Sequence, residues 1–342
     1  MTYDTLVLSA KDVLHLLDFR DCIDAIAQTL CAHEAGCSRG PVSSGLTLPN
    51  GSFHAKVAAV ESRQRLFVVV KANVNLPGNP ARSGRPTIQG ALILLDGDTG
   101  QPLAVMDSIA LTSIRTAATA ALAARHLSVE TAHTITIVGC GEQGEALLRA
   151  MAVVRDIRRA LVIDHDTGKA EAFAERMSDD LGLRVESTTD IAGSIRASDL
   201  CVTCTTSRTP LLYREHLHPG LFVAAVGADN PAKQEIDAAA MASSRVVVDS
   251  LTACAASGDL HHAIKAGAMS GHDVHGELSA IVAGRIPGRL NENEVFVFDS
   301  TGTALQDVAA AIVVYERALA EGKGLAVLLD DRHPTRSHPG AA

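Results

Sequence analysis

The sequence predicts an α/β protein in two parts: a central domain built on a parallel sheet, and an α+β unit assembled from both terminal segments. Three observations predict it. Short, continuously apolar runs (TITIV, LVI, LCVTC, LFVAAV, RVVV) alternate with helical segments between about residues 125 and 300, and strands apolar on both faces belong in a parallel sheet covered by helices. A glycine-rich turn, VGCGEQG, follows the first of these strands and opens a helix. The chain's 342 residues suit two domains better than one core. The N-terminal third also lacks helices to cover its own strands, so the helical run near the C-terminus is expected to serve it.

Taken in order, Asp12–Ala35 reads as one helix. LFVVVKANV and GALILLDGDTGQPLAVMD read as strands, the second a pair joined by DGDTG. NLPGNPARSGRP, rich in Pro and Gly, reads as loop. From Ala110 the period becomes helical (ALTSIRTAATAALAARHL) and runs into the strand TITIVG. Helices are expected after Gly141 and over KAEAFAERMSDDL, and a last one over ALQDVAAAIVVYERALAEG. The implied division is 1–115 with 301–335, a central 116–300, and a polar, disordered tail at 336–342.

Composition narrows the function. Net charge is −9 and no basic cluster is longer than a couple of residues, which argues against a nucleic-acid or membrane-surface partner. No apolar run approaches the roughly 20 residues that span a bilayer, and the N-terminus has no signal-peptide pattern. Seven scattered cysteines, an odd number without framework spacing, fit reduced thiols in a cytoplasmic protein. Cys201 and Cys204 form a C-x-x-C pair in an apolar strand and are read as structural thiols. His261, His262, His272 and His275 are read as solvated; no metal site is expected.

Gly139, Gly141 and Gly144 form G-x-G-x-x-G in its Rossmann context, between a β-branched strand and a helix. The first permits the tight turn, the second lets backbone approach a pyrophosphate, and the third lets helix pack on strand. Asp164 ends the next strand, twenty residues past Gly144, where an acidic group meets the adenosine ribose hydroxyls and repels a 2′-phosphate. NAD(H) is therefore expected in preference to NADP(H).

Three further residues stand out. Lys71 reads as ending an apolar strand, where lysine is costly unless paired or exposed at a site. Arg115 reads as starting its Ala-rich helix, where a cation is disfavoured unless it meets an anion. Asp229 follows LFVAAVGA, at the carboxyl end of a sheet strand where ligands gather. Simple ion pairing for Lys71 and Arg115, and a turn cap at Asp229, remain open on these grounds.

Five segments in order, VKANVNLPGNPARSGRPTIQG, DSIALTSIRTAATAALAARHL, VGCGEQG, VGADNPAKQEID and DSTGTALQDVAAA, resemble the ornithine cyclodeaminase/μ-crystallin family from about residue 40 to 325. The resemblance implies a central NAD-binding Rossmann domain, and terminal segments forming a substrate and homodimerisation domain. It implies an NAD(P)-dependent enzyme acting on α-amino or α-imino acids. The family includes cyclodeaminases, alanine dehydrogenases and ketimine or iminosuccinate reductases, and μ-crystallin itself binds thyroid hormone. By resemblance, Lys71 and Arg115 hold the substrate α-carboxylate and Asp229 is the catalytic acid/base. Thr87, Arg115, Glu142, Gln143, Asp164, Thr205, Val226, Gly227, Ala228, Asp229 and Lys233 line the cofactor.

One stretch departs from the family. Many relatives carry an Arg before a strand and a Met-Pro pair after the next turn. Here Ser43 or Ser44 stands at the Arg position, and His54-Ala-Lys56 replaces Met-Pro. His54 and Lys56 share one face of a strand. Three readings stand: a solvent-facing pair on an edge strand, a relocated grip on the same carboxylate, or a pocket for a second carboxylate, as in iminosuccinate. The leading expectation is an NAD(H)-dependent imine reductase or L-amino-acid dehydrogenase. Redox-neutral cyclodeamination of a diamine such as ornithine is the alternative, and a non-catalytic small-ligand binder the third.

Overall fold

The computed structural model describes residues 4–329, so the expected tail at 336–342 lies outside the described residues. The chain opens with β1 (Thr5–Leu8), α1 (Ala10–Leu16) and α2 (Phe19–Glu34). Where one helix was expected over Asp12–Ala35 there are two. Asp18 takes extended backbone and accepts a hydrogen bond from the Asp21 N–H, starting α2 afresh. An antiparallel meander follows: β2 (Ser38–Leu48), β3 (Gly51–Ser62), β4 (Arg65–Asn75), then, after the short helix α3 (Asn79–Ser83), β5 (Ile88–Asp96) and β6 (Pro102–Asp107). The expected Pro/Gly loop thus contains one helical turn, with a proline among its first residues. The DGDTG turn forms because Asp96 accepts from the N–H groups of Asp98 and Thr99 and from the Thr99 hydroxyl.

α4 (Ser108–Leu127) is capped by Asp107, whose carboxylate accepts from the Ile109 and Ala110 N–H groups. Its run of alanines is fully buried, including Ala117, Ala118, Ala120 and Ala121. A helix apolar all round belongs inside a molecule, and α4 runs unbroken across the boundary expected between residues 115 and 116.

The central unit follows: β7 (Thr134–Val138), α5 (Glu142–Val154), β8 (Arg159–Ile163), α6 (Thr167–Leu181), β9 (Arg184–Ser187), α7 (Ile191–Arg196), β10 (Leu200–Thr203), β11 (Phe222–Ala225), α8 (Ala238–Ala242) and β12 (Arg245–Val248). It continues with α9 (Leu251–Ser257), α10 (Asp259–Lys265), β13 (Gly276–Glu277), α11 (Leu278–Val282) and β14 (Phe296–Asp299). These eight strands form one parallel sheet, ordered β13-β12-β14-β11-β10-β7-β8-β9. Strand order reverses between β7 and β10, which makes their carboxyl ends the ligand crevice of an open α/β sheet.

The long helix α12 (Ala304–Glu321) then returns to the first unit, and β15 (Leu325–Val327) pairs antiparallel with β1. The resulting seven-stranded sheet is ordered β15-β1-β6-β5-β4-β3-β2. Helices α2, α4 and α12 cover one of its faces, so the C-terminal helix does cover the N-terminal strands. The register shows what lies on the other face. Val42, Val57, Val70, Ile93, Val105 and Val7 stand side by side across six strands, and Val42, Ile93 and Val7 are 61%, 37% and 41% exposed.

Candidate active site

The glycine turn sits at the strand-order reversal, and each glycine has its own reason. Gly139 has φ +114°, and a side chain there would press on the Cys204 carbonyl and thiol across the crevice. A Cβ at Gly144 would lie 2.1 Å from the Gly139 carbonyl oxygen, so helix and turn meet there only through hydrogen. Gly141 instead faces open space, with the Lys169 ammonium the nearest atom at 3.9 Å. Gly141 also caps α5 without a side-chain hydrogen bond, leaving first-turn N–H groups and the positive helix end to an anion. Glu142 is exposed, and the Gln143 amide donates to the Ser113 carbonyl, joining the turn to α4.

Asp164 follows β8, with its carboxylate beside the turn. It accepts from the N–H groups of Cys140 at 2.9 Å and Asp166 at 3.2 Å. Burial pushes its carboxyl up, but these N–H groups, with Lys169 and His165, hold it below the usual range. Lys169 Nζ lies 3.5 Å from Asp164, a cation that the sequence reading of Asp164 did not include. Cys204 rests on the turn, its thiol donating to the Gly139 carbonyl, and Cys201 is buried in β10.

The second half of the site comes from the seven-stranded sheet. Lys71 is not at a strand end: it sits inside β4 and is 4% exposed. Lys56 stands directly across from it on β3. Arg115, also 4% exposed, reaches the same place from α4. It lies seven residues past the start of α4, beyond the reach of the helix N-terminus, so the expected dipole argument does not apply to it. What answers these cations is Asp307 on α12, fully buried. Lys71 Nζ donates to its Oδ1 at 2.8 Å, and Arg115 Nε lies 2.9 Å from the same oxygen. Arg115 also donates to the Gln306 side chain at 2.6 Å.

Burial and the neighbouring Arg115 push the Lys71 ammonium down to about 7, against the pull of Asp307. The same two causes lower Lys56. Asp307 is pushed up by burial but held below the usual range by Lys71 and Arg115. Two cations, Lys71 and Arg115, share one fully buried carboxylate, while Lys56 beside them meets only backbone carbonyls directly.

His54 and Lys56 do share a strand face, but β3 lies between β2 and β4 and is not an edge strand. Lys56 points inward and donates to the Gly302 carbonyl at 2.6 Å and the Thr301 carbonyl at 3.3 Å. His54 is exposed one rung further out, bonded to the Ser52 hydroxyl. The reading of both as solvent-facing is therefore corrected. Ser43, not Ser44, is the residue of β2 opposite Lys56, so Lys56 occupies the rung where relatives were expected to carry Arg.

Asp229 follows β11, half exposed, with Lys233 Nζ 2.8 Å from its carboxylate and the Asn230 amide at 3.1 Å. Its charge acts on Lys56, with those of Asp307 and Asp249 acting more strongly. Glu235 holds the turn before it. Buried, it accepts from the Thr203 hydroxyl, both the N–H and hydroxyl of Thr205, and the Gly227 N–H. Val226 is fixed by its N–H to the Thr203 carbonyl, and Ala228 is buried. Thr87 precedes β5, and its carbonyl accepts from the Leu76 N–H, closing the Pro/Gly segment. The histidines make ordinary contacts: His261, His262 and His275 each face a backbone carbonyl.

Four residues escaped sequence reasoning: Asp307, Glu235, Asp249 and Lys169. Asp249 follows β12 and accepts from the Ser300 hydroxyl and the Gly302 N–H, shaping the turn that Lys56 grips. For Asp307 a signal was available, an acidic residue among the apolar positions of ALQDVAAAIVV. The other three act through tertiary contacts, to side chains and backbone, that no spacing announces.

Among known proteins, the chain is 32% identical over 321 residues to the alanine dehydrogenase of Archaeoglobus fulgidus, covering 94% of this chain and 97% of that one. It is 33% identical to the Delta(1)-pyrroline-2-carboxylate reductase of Bacillus cereus over 93% and 98%. It is 36% identical to the iminosuccinate reductase of Paracoccus denitrificans over 70% and 72%. The solved archaeal alanine dehydrogenase, a dimer with bound NAD, superposes with a TM-score of 0.91 at 32% identity, covering 96% of this chain and all of that one. The Paracoccus iminosuccinate reductase with NAD+ gives 0.88 at 29% identity, covering 95% and 100%. A family profile described as "Ornithine cyclodeaminase/mu-crystallin family" matches residues 3–322. The chain belongs to the ornithine cyclodeaminase/mu-crystallin family.

Proposed function

We propose that this chain is an NAD(H)-dependent imine reductase or L-amino-acid dehydrogenase acting on a small α-imino acid, with a dicarboxylic substrate such as iminosuccinate favoured. The observation that carries the reading is that two buried cations, Lys71 and Arg115, share the single carboxylate of Asp307, with Lys56 across the sheet from Lys71 and the Asp229 charge acting on Lys56. Unpaired buried cations are costly unless an anion completes them, and an α-carboxylate is such an anion. Relatives named for alanine, pyrroline-2-carboxylate and iminosuccinate chemistry support the reaction class.

The residues fit a dinucleotide: the space over Gly141 and the uncapped start of α5 suit a pyrophosphate. Bound NADH supplies the hydride that the α-carbon of the imine receives. In this reading Lys71 and Arg115 clamp the α-carboxylate and so fix the α-carbon. Asp229 stabilises positive charge on the imine nitrogen and holds its proton. Lys56, reaching inward, takes a second carboxylate, with His54 at the outer rung. We infer NAD(H) over NADP(H) from Asp164, although Lys169 beside it offers a competing attraction for a 2′-phosphate. The exposed apolar sheet face supports a homodimer, and seven cysteines that are all free thiols fit a reducing, cytoplasmic setting.

The test follows NADH absorbance with ammonium and oxaloacetate, pyruvate, glyoxylate or 2-oxoglutarate, with NADPH and ammonium-free controls. Ammonium-dependent oxidation supports the reading, and a preference for oxaloacetate supports the dicarboxylate. Absence of turnover with all four overturns it.

A further inference from the structure

Lys56 and Lys71 face each other across adjacent strands, an arrangement that is repulsive by itself. Arg115 adds a third charge from α4. Asp307 meets two of the three directly, and its place in the first turn of α12 makes it the point where the sheet, α4 and the C-terminal helix join. Its full burial keeps it from touching substrate. The donors that it leaves over are informative. Lys71 has one firm acceptor, Asp307, and a long contact of 3.5 Å to the Thr112 hydroxyl. Among the described residues the Arg115 Nη2 has no hydrogen-bond acceptor, while its Nη1 is engaged by Gln306. Gly302, at φ +77°, leaves room for the guanidinium: a Cβ there would lie 2.6 Å from Nη1.

We propose that Asp307 is the positioning residue of the substrate site, holding Lys71 and Arg115 side by side so that their remaining donors converge on the substrate α-carboxylate. The proposal rests on the reading of that site given above. It makes Asp307 act on substrate affinity through two other side chains. It also makes Asp307 a guardian of the Lys71 charge, because it is the carboxylate that opposes the effects of burial, Arg115 and Lys56 on that ammonium. The charged groups facing the cluster are Lys56 from β3, Arg115 from α4 and Asp307 from α12, with Asp249 and Asp229 acting on Lys56.

The experiment compares wild type, Asp307→Asn and Asp307→Glu by NADH fluorescence titration, by steady-state kinetics against pH, and by thermal-shift titration with L-aspartate in the presence of NAD. In Asp307→Asn the KM for the 2-oxo acid is expected to rise about tenfold or more, with NADH affinity within about twofold. The alkaline limb of kcat/KM is expected to move to lower pH, a change that loss of packing alone does not produce. Asp307→Glu keeps the charge but displaces it, so KM rises while the limb stays near wild type. If only the Glu variant folds, that KM rise at unchanged NADH affinity supports the proposal. An unchanged KM and pH limb in a folded variant overturns it. A wild type that binds L-aspartate but turns over no substrate overturns the functional reading only, and binding lost in Asp307→Asn then still supports the positioning role. A wild type that does neither overturns both.

Discussion

Replacing Lys56 with methionine removes one inward-facing charge while keeping most of the side chain's apolar bulk. In the structure its ammonium donates to the Gly302 carbonyl at 2.6 Å and faces Lys71 across the sheet. If that ammonium grips a second carboxylate, its loss removes a charge-assisted hydrogen bond of about 1.5–3 kcal/mol. Each 1.4 kcal/mol is roughly tenfold, so kcat/KM for the oxaloacetate-derived imine should fall about tenfold to a hundredfold. A monocarboxylic substrate does not use that donor and should change by less than about threefold. A second effect has the opposite sign from that of Asp307→Asn. Lys56 is one of the charges that lower Lys71, so removing it should carry the alkaline limb of kcat/KM to higher pH. Ammonium-dependent NADH oxidation with oxaloacetate and with pyruvate, across pH, reads both effects. Comparing variant with wild type cancels the ionisation of ammonia. Equal losses for the two substrates refute the second-carboxylate role.

Gly144→Ala should loosen cofactor binding, because its Cβ would lie 2.1 Å from the Gly139 oxygen and the turn must move. Overpacking costs about 1–3 kcal/mol, read as a lower Tm and a weaker NADH fluorescence titration; unchanged NADH affinity refutes the assignment of the turn. In the wild type, kcat/KM should fall as pH rises through the region of about 7, where free Lys71 loses its proton. Because kcat/KM reports the free enzyme, kcat should hold to higher pH, since bound carboxylate favours the protonated lysine; identical profiles for both contradict this. Ile93→Lys, at the centre of the exposed valine and isoleucine rung, should shift the chain to monomers in light scattering without loss of NADH binding. A variant that keeps the wild-type mass removes this face from the dimer interface.

The central domain was legible because its signals are local. A β-branched strand, a glycine turn and a helix adjoin in sequence, so Gly139, Gly141 and Gly144 could be assigned on short-range geometry. The DGDTG hairpin was equally local, resting on Asp96 and its neighbours. The single helix expected from Asp12 to Ala35 failed at Asp18, where a side-chain cap two turns in outweighed helical periodicity. Arg115 was noticed for an inapplicable reason: its helix begins at Ser108, not beside it. Arg115 is nonetheless buried and paired with Asp307, because a buried cation needs a partner wherever it lies.

By itself the sequence determined the parallel-sheet domain and the strand, glycine turn and helix within it, and it singled out the cations expected of an anion site, since each depends on period, turn chemistry or the cost of burying charge. Only the tertiary structure decided which residues meet. Lys71 and Asp307 lie 236 positions apart, and their pairing exists because α12 returns across the first sheet. Register, which no composition encodes, put Lys56 opposite Lys71 and Ser43 opposite Lys56. A shift of one residue would have turned each lysine to the uncovered apolar face. The excess of cations over this carboxylate is thus a consequence of long-range packing, in which Lys71 and Arg115 share one buried partner.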